Sequence, residues 1–76
     1  MIVSRATAPA ASAGLGVLDA MAGLARRTGS VVHVVVPRRP GAAERARRAA
    51  GAVGVSVTLD LMAGSLRARF DGRTGP

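Results

Sequence analysis

The sequence predicts an α+β fold, a two-layer β-α-β-α-β-β sandwich in which a four-stranded mixed sheet carries two helices on one face. Three observations predict it. The run Val31-Val32-His33-Val34-Val35-Val36 is β-branched almost throughout and apolar at both alternating sets of positions, as in a central buried strand. Leu15, Leu18, Met21, Ala22 and Ala25 recur at three- and four-residue steps, the spacing of one helical face. Val55, Val57, Leu59 and Leu61 alternate with Ser56, Thr58 and Asp60, the period of a half-buried strand.

In chain order, Ile2 to Ala6 is expected to form a short first strand, closed off by Thr7 and Pro9. A helix is expected from Ala10 to Arg27, with Thr7 or Ala8 at its entrance and Pro9 near its first position, where a missing N–H costs nothing. Gly14, Gly16 and Gly23 each weaken it by about 1 kcal/mol relative to alanine, so packing must hold it. Arg26 and Arg27 complement the carbonyl end of the helix dipole, and Gly29 stops it. The valine strand follows, and Pro37 and Pro40 bracket Arg38 and Arg39 in a stiff connection.

Gly41 to Ala50 reads as the second helix, with Gly51 and Gly54 ending it and Ala42, Ala46, Ala49 and Val53 facing inward. Glu44 precedes Arg48 by one helical turn, the favourable order for an ion pair of about 0.2–0.5 kcal/mol. The strand Val55 to Leu61 then turns through Met62-Ala63-Gly64-Ser65 into Leu66 to Phe70, where Leu66, Ala68 and Phe70 alternate with Arg67 and Arg69. These two strands read as an antiparallel hairpin. Residues 1–70 are expected to be one domain and residues 71–76 a polar tail.

The chain has 76 residues, and a domain of that size removes only about 60% of its unfolded surface from water. Phe70 is the sole aromatic residue, so the core rests on Val, Leu, Ile, Met and alanine. Such a thin core favours a homodimer or a protein partner that covers one face.

The net charge is +7, from eleven arginines and no lysine against Asp19, Glu44, Asp60 and Asp71. That excess suits an acidic partner, although a GC-rich coding bias also yields arginine in place of lysine. With no cysteine, disulfides, thiolate metal sites and cysteine nucleophiles are excluded. No apolar run approaches the roughly 20 residues of a spanning helix, and no signal-like apolar region follows Arg5. A cytoplasmic location without membrane contact is expected.

The element order, with Ala8-Pro9 at the first helix entrance, Gly29 before the valine strand, Arg39-Pro40 after it, Gly54 before the third strand and the hairpin around Gly64, resembles the TusA/SirA-like sulfur-carrier family. The resemblance runs from about Ile2 to Phe70. Those proteins carry Cys-Pro-x-Pro at the start of the first helix, where the helix dipole favours the thiolate that carries sulfur as a persulfide. Here Ala8 stands at the cysteine position, Ala11 at the second proline, Arg39 at the aspartate of an Asp-Pro pair, and Val55 at the histidine of a Gly-His pair. The resemblance therefore implies either a member that has lost sulfur carriage and serves as a binding or scaffold module, or a chain whose cysteine was replaced by alanine, because Ala8 has no atom that could hold sulfur.

The same element order is similar to Alba-like proteins and to the C-terminal domain of translation initiation factor 3, which contact nucleic acid. On that alternative, Arg38, Arg39, Arg45, Arg47 and Arg48 around the second helix and Arg67 and Arg69 on the last strand contact phosphates. Phe70, alternating with the arginines, is expected to face the core and not to stack on bases.

No catalytic constellation or metal-ligand set is expected, and no cofactor. His33 lies inside the valine strand with no second acid or base beside it, and reads as a hydrogen-bonded structural or interface residue. The four acids are scattered and read as ion-pair partners for arginine. Gly14-Leu15-Gly16 lacks the full fingerprint of a phosphate-binding loop and falls inside the helix pattern. The anion- or partner-binding candidates are Arg38, Arg39, Arg45, Arg48, Arg67 and Arg69. Among them, Pro37-Arg38-Arg39-Pro40 holds two guanidinium groups in a stiff turn suited to a phosphate or carboxylate.

Overall fold

The computed structural model describes residues 3–5 and 15–73. Six elements follow one another: strand β1 (Val3–Arg5), helix α1 (Gly16–Thr28), β2 (Val31–Pro37), helix α2 (Ala42–Val53), β3 (Ser56–Leu61) and β4 (Ser65–Asp71). The α+β class read from the sequence is the class of the fold.

The sheet departs from four comparable strands. Its body is three-stranded and antiparallel, with β4 between β2 and β3. The three residues of β1 form a parallel fringe on β2, reaching only from Val31 to His33. Seven residues of β4 face all seven of β2, from Val31 opposite Asp71 to Pro37 opposite Ser65. Pro37 is thus the last residue of the strand and not the first of the turn. A proline is tolerated at such an end because little of the ladder lies beyond it.

One face of this sheet meets both helices. Val32, Val34 and Val36 stand opposite Phe70, Ala68 and Leu66, and all six are fully buried. From the helices, Leu18, Ala22 and Ala25 of α1 and Ala42, Ala46, Ala49 and Ala50 of α2 complete the same cluster. Burying Leu18, Leu66 and Phe70 contributes about 1.5–3 kcal/mol each, whereas the alanines contribute chiefly by letting the helices approach closely. The valine strand is apolar-buried on its other face only at its start: Val31 is buried there, but His33 and Pro37 are half-buried and Val35 is 37% exposed. No described element covers that face.

Both helices end in the same way. Gly29 and Gly54 adopt left-handed backbone (φ 64° and 77°), and their N–H groups donate to Ala25 and Ala50 at 2.9 and 2.8 Å. The next N–H, of Ser30 or Val55, reaches the same carbonyl, so the last turn is closed before the chain enters a strand. Gly51 does not end α2. It lies exposed within the helix, and the apolar face continues through Val53. Similarly, Gly16 opens α1 behind Leu15 at the N-cap, so this glycine lies at the helix entrance and not within its pattern. The expected strand ends at Ile2 and Ala6, the expected helix residues 10–14, and the positions Thr7, Ala8 and Pro9 lie outside the described residues.

Asp71 and Gly72, expected as the start of a polar tail, belong to the fold. Asp71 is the last residue of β4, and Gly72 is buried, donating its N–H to the Ser30 carbonyl at 2.9 Å. This bond ties the end of the sheet to the exit of α1. No helix among the described residues is long and apolar enough to cross a membrane.

Candidate binding surface

Chain direction places the β2–α2 connection and the β3–β4 turn at one end of the sheet. There the Arg38 N–H donates to the Gly64 carbonyl at 3.3 Å, and its Nη1 donates to the Met62 carbonyl at 3.2 Å. The stiff turn is therefore latched to the hairpin. Arg38 is partly committed to that latch, while the guanidinium of the exposed Arg39 makes no hydrogen bond or ion pair with a described residue. Val35, Leu61 and Met62, the exposed large apolar residues of the described chain, all lie toward this end.

The sheet face away from the helices carries a polar set in register. His33, Arg69 and Thr58 stand side by side on β2, β4 and β3, and Val35, Arg67 and Asp60 form the next row. Arg67 donates from Nη2 to Asp60 at 3.1 Å across that row. Arg69 is half-buried and has no carboxylate partner among the described residues. His33 makes no side-chain hydrogen bond to them either, because it faces this open side and not the helix layer. Of the two roles expected of His33, hydrogen-bonded structural residue or interface residue, the first finds no partner among the described residues.

Three of the four acids are taken up by arginine. Asp19 of α1 accepts from Nε of Arg45 on α2 at 3.0 Å and also from Nη2, a pairing between helices that holds the Arg45 guanidinium further above its ordinary value. Asp71 accepts from the Arg73 N–H, Nε and Nη2 at 3.0, 2.9 and 2.8 Å. The side-chain bonds, followed by the backbone bond, bring its carboxyl from 3.8 down to about 2, with the Arg69 charge adding to the effect. The pair expected within α2 does not form: among the described residues Glu44 reaches no arginine, and Arg48 is exposed without a carboxylate. The neighbouring Arg45 turns instead to the adjacent helix.

The expected candidates are therefore not gathered into one cluster. Arg45 and Arg67 are occupied in ion pairs, Arg38 in the latch, Arg69 lies on the open sheet face, and Arg39 and Arg48 project from the turn and from α2. Arg26, Arg27 and Arg47 join the exposed guanidiniums without a described carboxylate, although only their place in charge runs signals them in the sequence. The Asp19–Arg45 contact lacks even that, because its partners are 26 positions apart. Ala8 and Pro9 lie outside the described residues. Among the described residues no group of His, Asp and Glu is arranged to hold a metal ion. No protein-family model matches the chain, and neither a curated protein nor a solved structure matches it.

Proposed function

We propose that this chain is a small non-catalytic binding module, placed in the cytoplasm, that recognises an acidic protein partner through guanidinium groups left free by its own ion pairs. The observation that carries the reading is the distribution of charge. Asp19, Asp60 and Asp71 are each held by an arginine, which leaves Arg26, Arg27, Arg39, Arg47, Arg48 and Arg69 facing solvent or the open sheet without a carboxylate among the described residues. Carboxylates of a partner would supply the missing charge through bidentate contacts, which are short and strong. The β-α-β-α-β-β order is the basis of the resemblance to TusA/SirA-like proteins, and on this reading that scaffold is retained for binding alone.

Nucleic acid is the second reading, favoured by Arg47 and Arg48 side by side on the exposed part of α2. Phosphates need no base-specific group to meet such a pair. Against it, Phe70 is fully buried and cannot stack on a base.

The test titrates the purified chain with a glutamate-rich peptide and with duplex and single-stranded oligonucleotides across a salt series. Binding of the peptide is expected, with affinity lowered about fivefold or more, roughly 1 kcal/mol, in the Arg39→Gln/Arg48→Gln variant. Tight binding of oligonucleotide with none of peptide would replace the first reading by the second. If neither binds at low salt, the arginines are solvated surface and both readings fail.

A further inference from the structure

We infer that β3 is a dimerisation edge, pairing antiparallel with β3 of a second copy about a two-fold axis at Thr58. Burial points there first. On the helix-facing side of the sheet, Val32, Val34 and Val36 of β2 and Leu66, Ala68 and Phe70 of β4 are fully buried. Their neighbours on β3 are not: Val57 and Leu59 are half-buried and Leu61 is 61% exposed. The apolar layer thus continues to the edge of the sheet, while its cover stops short.

The edge also lacks the usual protection. Among the described residues β3 pairs with β4 alone. Ser56–Leu61 contains no lysine, proline or glycine, and its one charge, Asp60, is occupied by Arg67 on the other face. Outward-pointing backbone groups on such a strand are a template for another strand.

The pattern of the strand selects the occupant. Directly opposed residues of an antiparallel pair lie on the same face, so a self-pairing preserves the faces only when it is centred on a residue. Centred on Thr58, the ladder sets Val57 opposite Leu59 of the second copy on the helix side and brings Leu61, at the strand end, to Val55, which immediately precedes the strand. On the open side, Thr58 meets Thr58 and Asp60 meets Ser56. Every apolar residue finds an apolar one, and no two like charges face each other. Centring on Asp60 would oppose two carboxylates, and centring on Leu59 would set Asp60 against Thr58 and leave Val55, just before the strand, without an apolar neighbour in the strand. The edge is thus best matched to itself about Thr58, a register that brings Leu61 to Val55 of the second copy. This inference is independent of the acidic-partner reading, since it uses none of the unpaired arginines.

The experiment measures the mass of the full chain in solution and cross-links single-cysteine variants, for which the cysteine-free sequence is well suited. Expected are a mass twice the chain's 7.6 kDa and rapid oxidative cross-linking of Thr58→Cys. Opposed residues there would have Cα atoms about 4.5–5.5 Å apart, within disulfide reach. Ser56→Cys, opposite Asp60 of the second copy, is expected not to cross-link. Leu61→Lys, at a site already exposed in the single chain, is expected to yield a folded monomer by circular dichroism and mass. A monomer at all concentrations overturns the inference. So does a dimer in which Thr58→Cys fails to cross-link, one in which Ser56→Cys cross-links as readily, or one that Leu61→Lys leaves intact.

Discussion

A methyl group added at Gly72 would lie 1.8 Å from the carbonyl oxygen of Ala25 and 2.4 Å from its carbon, well inside van der Waals contact. Because both atoms are backbone in the last turns of α1, no side-chain rotation can relieve the overlap. Gly72→Ala must therefore move the end of β4 away from α1, weakening the Gly72-to-Ser30 hydrogen bond. The expected loss is about 3 kcal/mol, the upper part of the range for overpacking, read as a lower urea midpoint with unchanged slope. A loss below about 0.5 kcal/mol would show that the strand end is free to shift. The neighbouring Asp71 is fixed by its three bonds from Arg73. None of this is legible from Asp-Gly-Arg-Thr-Gly-Pro, which has the composition of a solvated tail. The close approach depends on where α1 ends in space, and residue type carries no record of that.

Between elements, the joint of α1 with α2 combines two contacts of unlike strength. Asp19 and Arg45 form an ion pair whose side chains remain 48% and 39% exposed, so solvent screens it. Beneath it, Ala22, Ala25, Ala46, Ala49 and Ala50 are buried in one cluster with Leu18. Asp19→Asn is accordingly expected to cost less than about 1 kcal/mol. Ala46→Leu, which forces extra methylenes into a fully buried position, is expected to cost about 1–3 kcal/mol. Thermal unfolding of the two variants checks the order, and a larger loss for Asp19→Asn would make the ion pair the true clamp. The alanine face of α2 was legible because its period is local, as were the valine strand and the alternation of β3 and β4. Helix ends were less so. Gly51 resembles a stop in sequence, yet it projects outward and leaves the inner face unbroken, while Gly54 takes the left-handed conformation that ends the helix. The candidate arginines were legible as cations but not as a site, since Arg45 and Arg67 find their acids on other elements.

For the whole molecule, net charge and edge pairing respond to salt in opposite directions. A chain of charge +7 repels its own copy, and the Debye length falls from about 10 Å at 0.1 M salt to about 3 Å at 1 M. Contact with an acidic partner draws on the same charge with the opposite sign. Pairing through β3 rests on backbone hydrogen bonds and on burial of Leu61, Leu59 and Val57, which screening leaves intact. Such a dimer would continue the row from Arg69 through Thr58 to its symmetry mate, setting the two Arg69 positions about 14 Å apart at the usual strand spacing. Both copies would then offer Arg69 on one sheet face, with the helices and their exposed Arg47 and Arg48 on the other. Raising salt from about 0.05 to about 0.5 M, a range over which exposed charges become screened, is therefore expected to hold or increase the dimer fraction in sedimentation equilibrium. Over the same range, affinity for a glutamate-rich peptide is expected to fall steadily. A dimer that dissociates as salt rises would be held by charge, and the site of association would then lie among the arginines and not at β3. A peptide affinity indifferent to salt would remove the arginines from recognition while leaving the edge pairing untouched.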